Sequence, residues 1–119
     1  MRTLTPLALI LALSSSALIA EECSMPDMPT LPDGNSATME EMIAGQQAVK
    51  AFQAAVETYR GCQDTMMATL KTRVAEGDEA AVADFQAATD AYNTSVSLEE
   101  KLAEQFNQAI RDFKAANPS

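Results

Sequence analysis

Apolar residues recur with a heptad period from residue 42 to residue 113, through more than half of the chain. This period aligns one apolar stripe along an α-helix and is typical of coiled coils. Thr38 and Glu41 form a capping box where the pattern begins. The stripe is interrupted at Gly77 and Asp78, which suit the end of one helix and the N-cap of the next. So short a break makes the helices antiparallel neighbours. The pattern predicts an all-α fold, a coiled-coil-like antiparallel two-helix hairpin with helices at 38–76 and 79–116 and a turn at 77–78.

The heptad assignment also predicts which residues form the seam between the two helices. In the first helix these are Met42, Val49, Val56, Gln63 and Leu70 at a positions, and Gly45, Phe52, Tyr59, Met66 and Arg73 at d positions. In the second they are Val82, Thr89, Val96, Ala103 and Ile110 at a positions, and Phe85, Tyr92, Glu99, Phe106 and Phe113 at d positions. The polar members, Gln63, Arg73 and Glu99, are expected to set the register or to reach solvent.

The first 20 residues have the pattern of a secretory signal peptide. Arg2 supplies a positive charge, Leu4 to Leu13 is mainly apolar, and a stretch of small residues follows, with cleavage expected after Ala17 or Ala20. The apolar run is short for a hydrocarbon core of about 30 Å, and no later segment is more suitable. We therefore predict export without stable membrane insertion after cleavage.

Two cysteines, Cys23 and Cys62, remain after the predicted cleavage. An exported chain with an even number of cysteines is expected to form disulfides. Their separation excludes a Cys-x-x-Cys redox motif. The sequence predicts that a disulfide joins Cys23 to Cys62 and stabilises a small domain whose core is modest.

The segment at 21–37, ahead of the first helix, contains three triplets that each end in proline. The middle residues of the triplets, Met25, Met28 and Leu31, would share one face of a polyproline II helix because that helix repeats every three residues. We predict that this segment is an extended strap, pinned by the disulfide, along one flank of the hairpin. The groove expected to receive it is lined by Ala44, Ala48, Ala51, Ala55, Leu98 and Leu102.

The composition argues against catalysis. The chain has no histidine and no tryptophan, no glycine-rich phosphate loop, and no serine or threonine beside an activating base. We therefore predict that it is not an enzyme and takes no cofactor. Its formal net charge of −9 disfavours binding to nucleic acid or to anionic lipid.

Two functions are compatible with these features. One is a structural or interaction protein, in which the hairpin binds a protein partner or a second copy of itself, or acts in envelope homeostasis. The alternative is a Cu(I)-binding protein that uses Met25, Met28, Met39 and Met42, because thioether sulfur is a soft ligand. Against the copper hypothesis, methionine also fills apolar contacts, and no histidine accompanies these four residues.

Four short motifs resemble a known group of sequences. They are Cys23-Ser24-Met25-Pro26, Pro32-Asp33-Gly34, Glu41-Met42 and Tyr59-Arg60-Gly61-Cys62. With them the predicted mature chain resembles a group of small exported proteins of proteobacteria. The resemblance implies location in a Gram-negative periplasm. It carries over no catalytic or ligand residue.

Overall fold

Two long helices joined by a tight turn make up the protein in the computed structural model, which describes residues 23–119. Helix α1 runs over Met39–Ala75 and helix α2 over Glu79–Ala116, and the two pack against each other as an antiparallel hairpin. Residues 23–119 contain no β-strand, which confirms the predicted fold class. Neither α1 nor α2 holds an apolar stretch that would cross a bilayer. The signal peptide predicted at 1–20 lies outside the described residues.

Both helices begin at side-chain caps that the sequence predicts. The hydroxyl of Thr38 accepts a hydrogen bond of 3.1 Å from the backbone N–H of Glu41. The carboxylate of Asp78 accepts one of 3.1 Å from the N–H of Ala80. Gly77 has a φ of 90°, a left-handed conformation that glycine adopts without strain at the end of a helix. The contacts at Gly77 and Asp78 fix the turn and hence the antiparallel arrangement.

The seam of α1 agrees with the heptad prediction, whereas the seam of α2 is displaced by one position. All five predicted a residues of α1 are buried. In α2 the predicted a residue Val82 is 51% exposed, and its neighbour Ala81 is fully buried. The buried line of α2 consists of Ala81, Ala88, Ser95, Leu102 and Ala109, together with Phe106.

The displacement has a steric cause. Aromatic residues occupy four of the five predicted d positions of α2, and three of them, Phe85, Phe106 and Phe113, pack in or against the apolar core. The other line of the seam must then be mostly small, because small residues let two helix backbones approach closely. Alanine and serine meet this requirement at 81, 88, 95 and 109. The bulkier Val82, one residue on, points about 100° further round the helix.

A polar layer divides the core into two apolar clusters. The cluster at the open end of the hairpin includes Val56 and Leu102, and the cluster at the turn end includes Leu70 and Ala88. Between them the side chains hydrogen-bond to one another or to nearby backbone. The polar residues of this layer are Tyr59, Arg60, Gln63, Ser95 and Glu99.

The contacts within the polar layer are specific. The amide nitrogen of Gln63 donates to the Tyr59 hydroxyl at 2.7 Å. The Arg60 guanidinium donates to Ser95 Oγ at 3.3 Å and forms an ion pair with Glu99. Glu99 is therefore paired across the seam rather than directed freely into solvent. Because each partner lies on a fixed side of the seam, the layer holds the two helices in one register.

Candidate functional site

The disulfide between Cys23 and Cys62 anchors the segment that precedes α1. The two Cα atoms are 5.6 Å apart, and the cysteines are separated by 39 positions in sequence. Both side chains are half-buried. The predicted pairing is confirmed. It places the start of the strap, residues 23–37, at the level of the polar layer, about two thirds of the way along α1 from Met39.

The other end of the strap is held by close packing at two glycines. A Cβ atom added to Gly45 would lie 2.7 Å from Pro32 Cδ and 3.2 Å from Phe106 Cε2. A Cβ atom added to Gly34 would collide with the carbonyl oxygen of Ala109. The strap therefore rests directly on both helices, through the Pro32 ring on α1 and through the backbone of Gly34 on α2, at positions where only glycine leaves enough room.

The side chains of the strap are buried unevenly. Met25 and Leu31 pack against the open-end cluster. Met28, which the three-residue repeat places on the same face, is 38% exposed. The strap thus contacts the core near its two anchored ends, while its middle lies closer to solvent.

The groove under the strap differs in part from the predicted lining. Leu102 is buried, and Ala48, Ala55 and Leu98 are half-buried, but Ala44 and Ala51 are exposed. Ala44 and Ala51 occupy c positions, which lie further round α1 from the seam than the g positions of Ala48 and Ala55. The strap leans instead on α2, where it borders a shallow hollow. The α2 residues that line this hollow are Gln105, Gln108, Ala109 and Asp112.

The four methionines of the copper hypothesis do not come together. Met25 is two residues from Cys23 and hence close to Cys62, whereas Met39 starts α1, about 35 Å away along the helix axis. Met42 is buried in the open-end cluster, and Met39 is 59% exposed. Four sulfurs spread in this way cannot coordinate one ion. Among residues 23–119 no cluster of three or more His, Cys, Asp or Glu side chains is placed to hold a metal.

Beyond the disulfide, toward the turn, the flank that carries the strap is uncovered. An open groove of about 810 Å³ lies there between the two helices. Its α2 wall includes Asp84 and Ala87, which stand three heptads before Gln105 and Gln108 of the strap-covered half. Residues 21 positions apart share a face of a coiled-coil helix. The strap and the open groove therefore occupy two halves of one continuous groove, and Cys62 lies at their boundary. The lining of the open groove is Thr58, Gly61, Cys62, Thr65, Met66, Thr69, Leu70, Arg73, Asp84 and Ala87.

The surface of the open groove offers apolar contact and few free hydrogen-bonding groups. Met66 and Leu70 belong to the turn-end cluster beneath it. On the α1 wall, the hydroxyls of Thr58, Thr65 and Thr69 donate to carbonyl oxygens one turn earlier in their own helix, at 3.2–3.3 Å. These hydroxyl protons are thus already used within the helix. The wall consequently favours a ligand that is apolar on the side facing the groove.

Two charged residues line the turn end of the open groove, and they differ in their partners. The Arg73 guanidinium donates to the Asp78 carboxylate at 2.6 Å, and this hydrogen bond is the main reason that the pKa of Asp78 is lowered. Asp84 has no ion pair within the described residues. The carboxylate of Asp84 is therefore the charged group of the groove that remains available to a ligand.

A second, smaller apolar surface lies at the open end of the hairpin, on the flank opposite the strap. It surrounds a hollow of about 260 Å³ between the first turns of α1 and the last turns of α2. Met39 and Ile43 are exposed there, and Ile110 and Phe113 are half-buried. The hollow is shallower than the open groove and has no continuity with the strap.

The sequence interpretation did not identify the open groove. The position of Cys62 gave a cue, because it anchors the start of the strap about two thirds of the way along α1 and leaves residues 63–75 without cover. Comparison with protein-family models, curated proteins and solved structures gives no match. The chemistry of the groove itself is therefore the basis for assigning a function.

Proposed function

We propose that this chain is a small exported interaction protein that binds a protein partner through the open groove. The observation that carries the proposal is the division of one groove into a covered and an uncovered half. In the covered half, the strap shields the apolar flank of the hairpin. In the uncovered half, Met66, Leu70 and Ala87 border an open surface of the same kind. An apolar groove that monomers leave uncovered is a common feature of binding sites.

Export to the periplasm is part of the proposal. The N-terminal pattern of the sequence and its resemblance to exported proteobacterial proteins support it. The disulfide between Cys23 and Cys62 is consistent with it, because disulfides persist in oxidising compartments. Of the two charged residues of the groove, Arg73 is held in an ion pair with Asp78, so Asp84 is the one that a partner can pair with.

The proposal can be tested by site-specific photo-cross-linking in a host that exports the chain. A photoreactive amino acid replaces Thr65 in the groove or, as the control, Glu57, which is exposed on the other side of α1. We expect a discrete protein adduct from position 65 that is absent from position 57. Ala87→Gln, which fills the groove, should remove the adduct, whereas Ala83→Gln on the solvent face of α2 should not.

The outcome also distinguishes kinds of partner. An adduct of twice the chain mass would identify the partner as a second copy of the protein. The same pattern of adducts from both positions, or an adduct that survives Ala87→Gln, would refute a binding role for the groove.

A further inference from the structure

The strap shows what kind of chain the groove accepts. Residues 23–33 form neither helix nor strand, and they carry proline at every third position from Pro26 to Pro32. A polyproline II chain makes no internal hydrogen bonds and keeps its backbone solvated. Such a chain needs no hydrogen-bond partners from the groove. The open half, whose threonine hydroxyls are already engaged, offers the same conditions.

We propose that the open groove binds an extended apolar peptide segment that carries a basic residue, an inference that rests on the proposed function. The bound segment continues the line of the strap. Beyond the disulfide, the groove extends along α1 from Cys62 to Arg73, which is about 16 Å at 1.5 Å per residue. Five residues of polyproline II chain span about 16 Å at 3.1 Å each. The bound segment is therefore about five residues long.

The end of the strap favours an extended segment over a helix. Cys23 is bonded to Cys62 at the mouth of the groove and closes it toward the open end of the hairpin. A partner helix lying along the groove is about 10 Å wide, and any length beyond about eleven residues would meet the strap. An extended chain is narrower, and a segment of about five residues fits between the disulfide and Arg73.

The negative charge around the open groove favours a basic residue on the bound segment. Residues 57–99, which form the turn half of the hairpin, include eight acidic and three basic side chains. Two of the basic ones, Arg60 and Arg73, are already in ion pairs. Asp84 lines the groove without an ion pair in the described part of the chain. A lysine or arginine on the bound segment would pair with Asp84 and lower the local repulsion.

The same charges disfavour two other occupants of the groove, a second copy of the protein and the chain's own residues before Cys23. A second copy has a formal net charge of −9, and its strap carries Asp27, so each copy repels the other. The chain's own residues before Cys23 include Glu21 and Glu22, which would bring two carboxylates to the mouth of an apolar groove. A basic segment from another protein meets neither difficulty.

Peptide titration of the mature, oxidised protein tests the inference. The probe is the labelled five-residue peptide Met-Pro-Lys-Met-Pro, which is the sequence of strap residues 25–29 with lysine in place of Asp27. Fluorescence anisotropy should show saturable binding of this peptide and weaker binding of the native, acidic strap peptide. Ala87→Gln should weaken binding at least tenfold by occupying the groove, and the matched Ala83→Gln should not change it.

A charge swap then tests the role of Asp84. Asp84→Lys should weaken binding of the lysine peptide about fivefold, the scale of an exposed ion pair, and should strengthen binding of the acidic peptide. Equal binding of both peptides to the unaltered protein, or no effect of Asp84→Lys, would overturn the basic preference. Tighter binding of the peptide with alanine in place of each proline, which frees it to fold as a helix, would overturn the extended conformation.

The remaining outcomes separate this inference from the function on which it rests. If only a chain that starts at Cys23 binds the peptide, the groove is filled by the protein's own N-terminal residues and the inference fails. If sedimentation shows a dimer that the peptide dissociates, a second copy is the occupant and the inference fails. If no peptide binds while the photo-cross-link at position 65 persists, the inference fails but the binding role of the groove stands. Loss of that cross-link would refute the binding role itself.

Discussion

Two glycines of α1 provide a controlled test of how tightly the strap is packed. Gly45 lies under the strap, where an added Cβ would be 2.7 Å from Pro32 Cδ, whereas Gly61 has nothing within 4 Å of an added Cβ. Both lie inside the same helix, so alanine gains about 1 kcal/mol of helix propensity at either position. Any difference between the two variants therefore reports the packing around Gly45.

We expect Gly61→Ala to stabilise the protein by about 1 kcal/mol. At Gly45 the same gain is opposed by overpacking, which costs about 1–3 kcal/mol when the neighbours cannot move away. The Pro32 ring is rigid, and the adjacent contact of Gly34 with Ala109 restrains it. The free energy of unfolding of Gly45→Ala should therefore fall about 1–3 kcal/mol below that of Gly61→Ala.

Urea denaturation of the oxidised variants, followed by circular dichroism, measures this difference. Repeating the titration after reduction of the disulfide is the internal control, because the released strap can move away from the new methyl group and the difference should shrink. If both variants gain the same stability under oxidising conditions, the strap does not pack on Gly45 and its described path is wrong.

Three further predictions concern the disulfide, the turn and the strap groove. Reducing the disulfide should lower the free energy of unfolding by up to about 4 kcal/mol, the loop-entropy estimate for this separation, and urea titration with and without reductant checks this; an unchanged midpoint would contradict it. The pKa of Asp78 is lowered from 3.8 mainly by its hydrogen bond with Arg73. The stability that the ionised carboxylate contributes to the fold is therefore present above about pH 4 and is lost as the pH falls through the lowered pKa. The unfolding midpoints of the protein and of Asp78→Asn, which keeps an N-cap, should therefore converge at acid pH. A constant difference between the two midpoints at every pH would show that ionisation of Asp78 does not contribute to stability. Ala55→Glu at the half-buried position should destabilise strongly, whereas Ala51→Glu at the exposed position should be nearly neutral by thermal denaturation; equal costs would contradict the described edge of the groove.

The sequence predicted the elements of the fold because their physical causes are local. Thr38, Gly77 and Asp78 determine where the helices begin and end, and their roles depend on groups within a few residues. The α1 seam was equally predictable, since nearly every a position is apolar. Only two cysteines remain for pairing in the predicted mature chain, so their disulfide could be predicted from the expected export.

The remaining features depend on contacts between elements, which a heptad pattern does not encode. The buried line of α2 follows from the space that its aromatic residues occupy, and this placed Ala81 rather than Val82 at the seam. The strap contacts Ala109 because Gly34 permits close approach there, a relation between residues distant in sequence. The open groove became evident only when the path of the strap was known.

The polar layer at Tyr59, Gln63 and Ser95 has a consequence for the way the molecule opens. It separates two apolar clusters, and only the open-end cluster includes residues of the loop 23–62 that the disulfide closes. Local unfolding follows the boundaries of such cooperative units. The turn end should therefore unfold locally while the strapped end stays folded. In a hydrogen-exchange experiment, the amide hydrogens of residues 66–88 should exchange faster than those of residues 49–56 and 102–106. Although its two helices are continuous, the hairpin would thus behave in solution as two cooperative units. The strapped unit would stay folded while the turn-end unit unfolds and refolds locally.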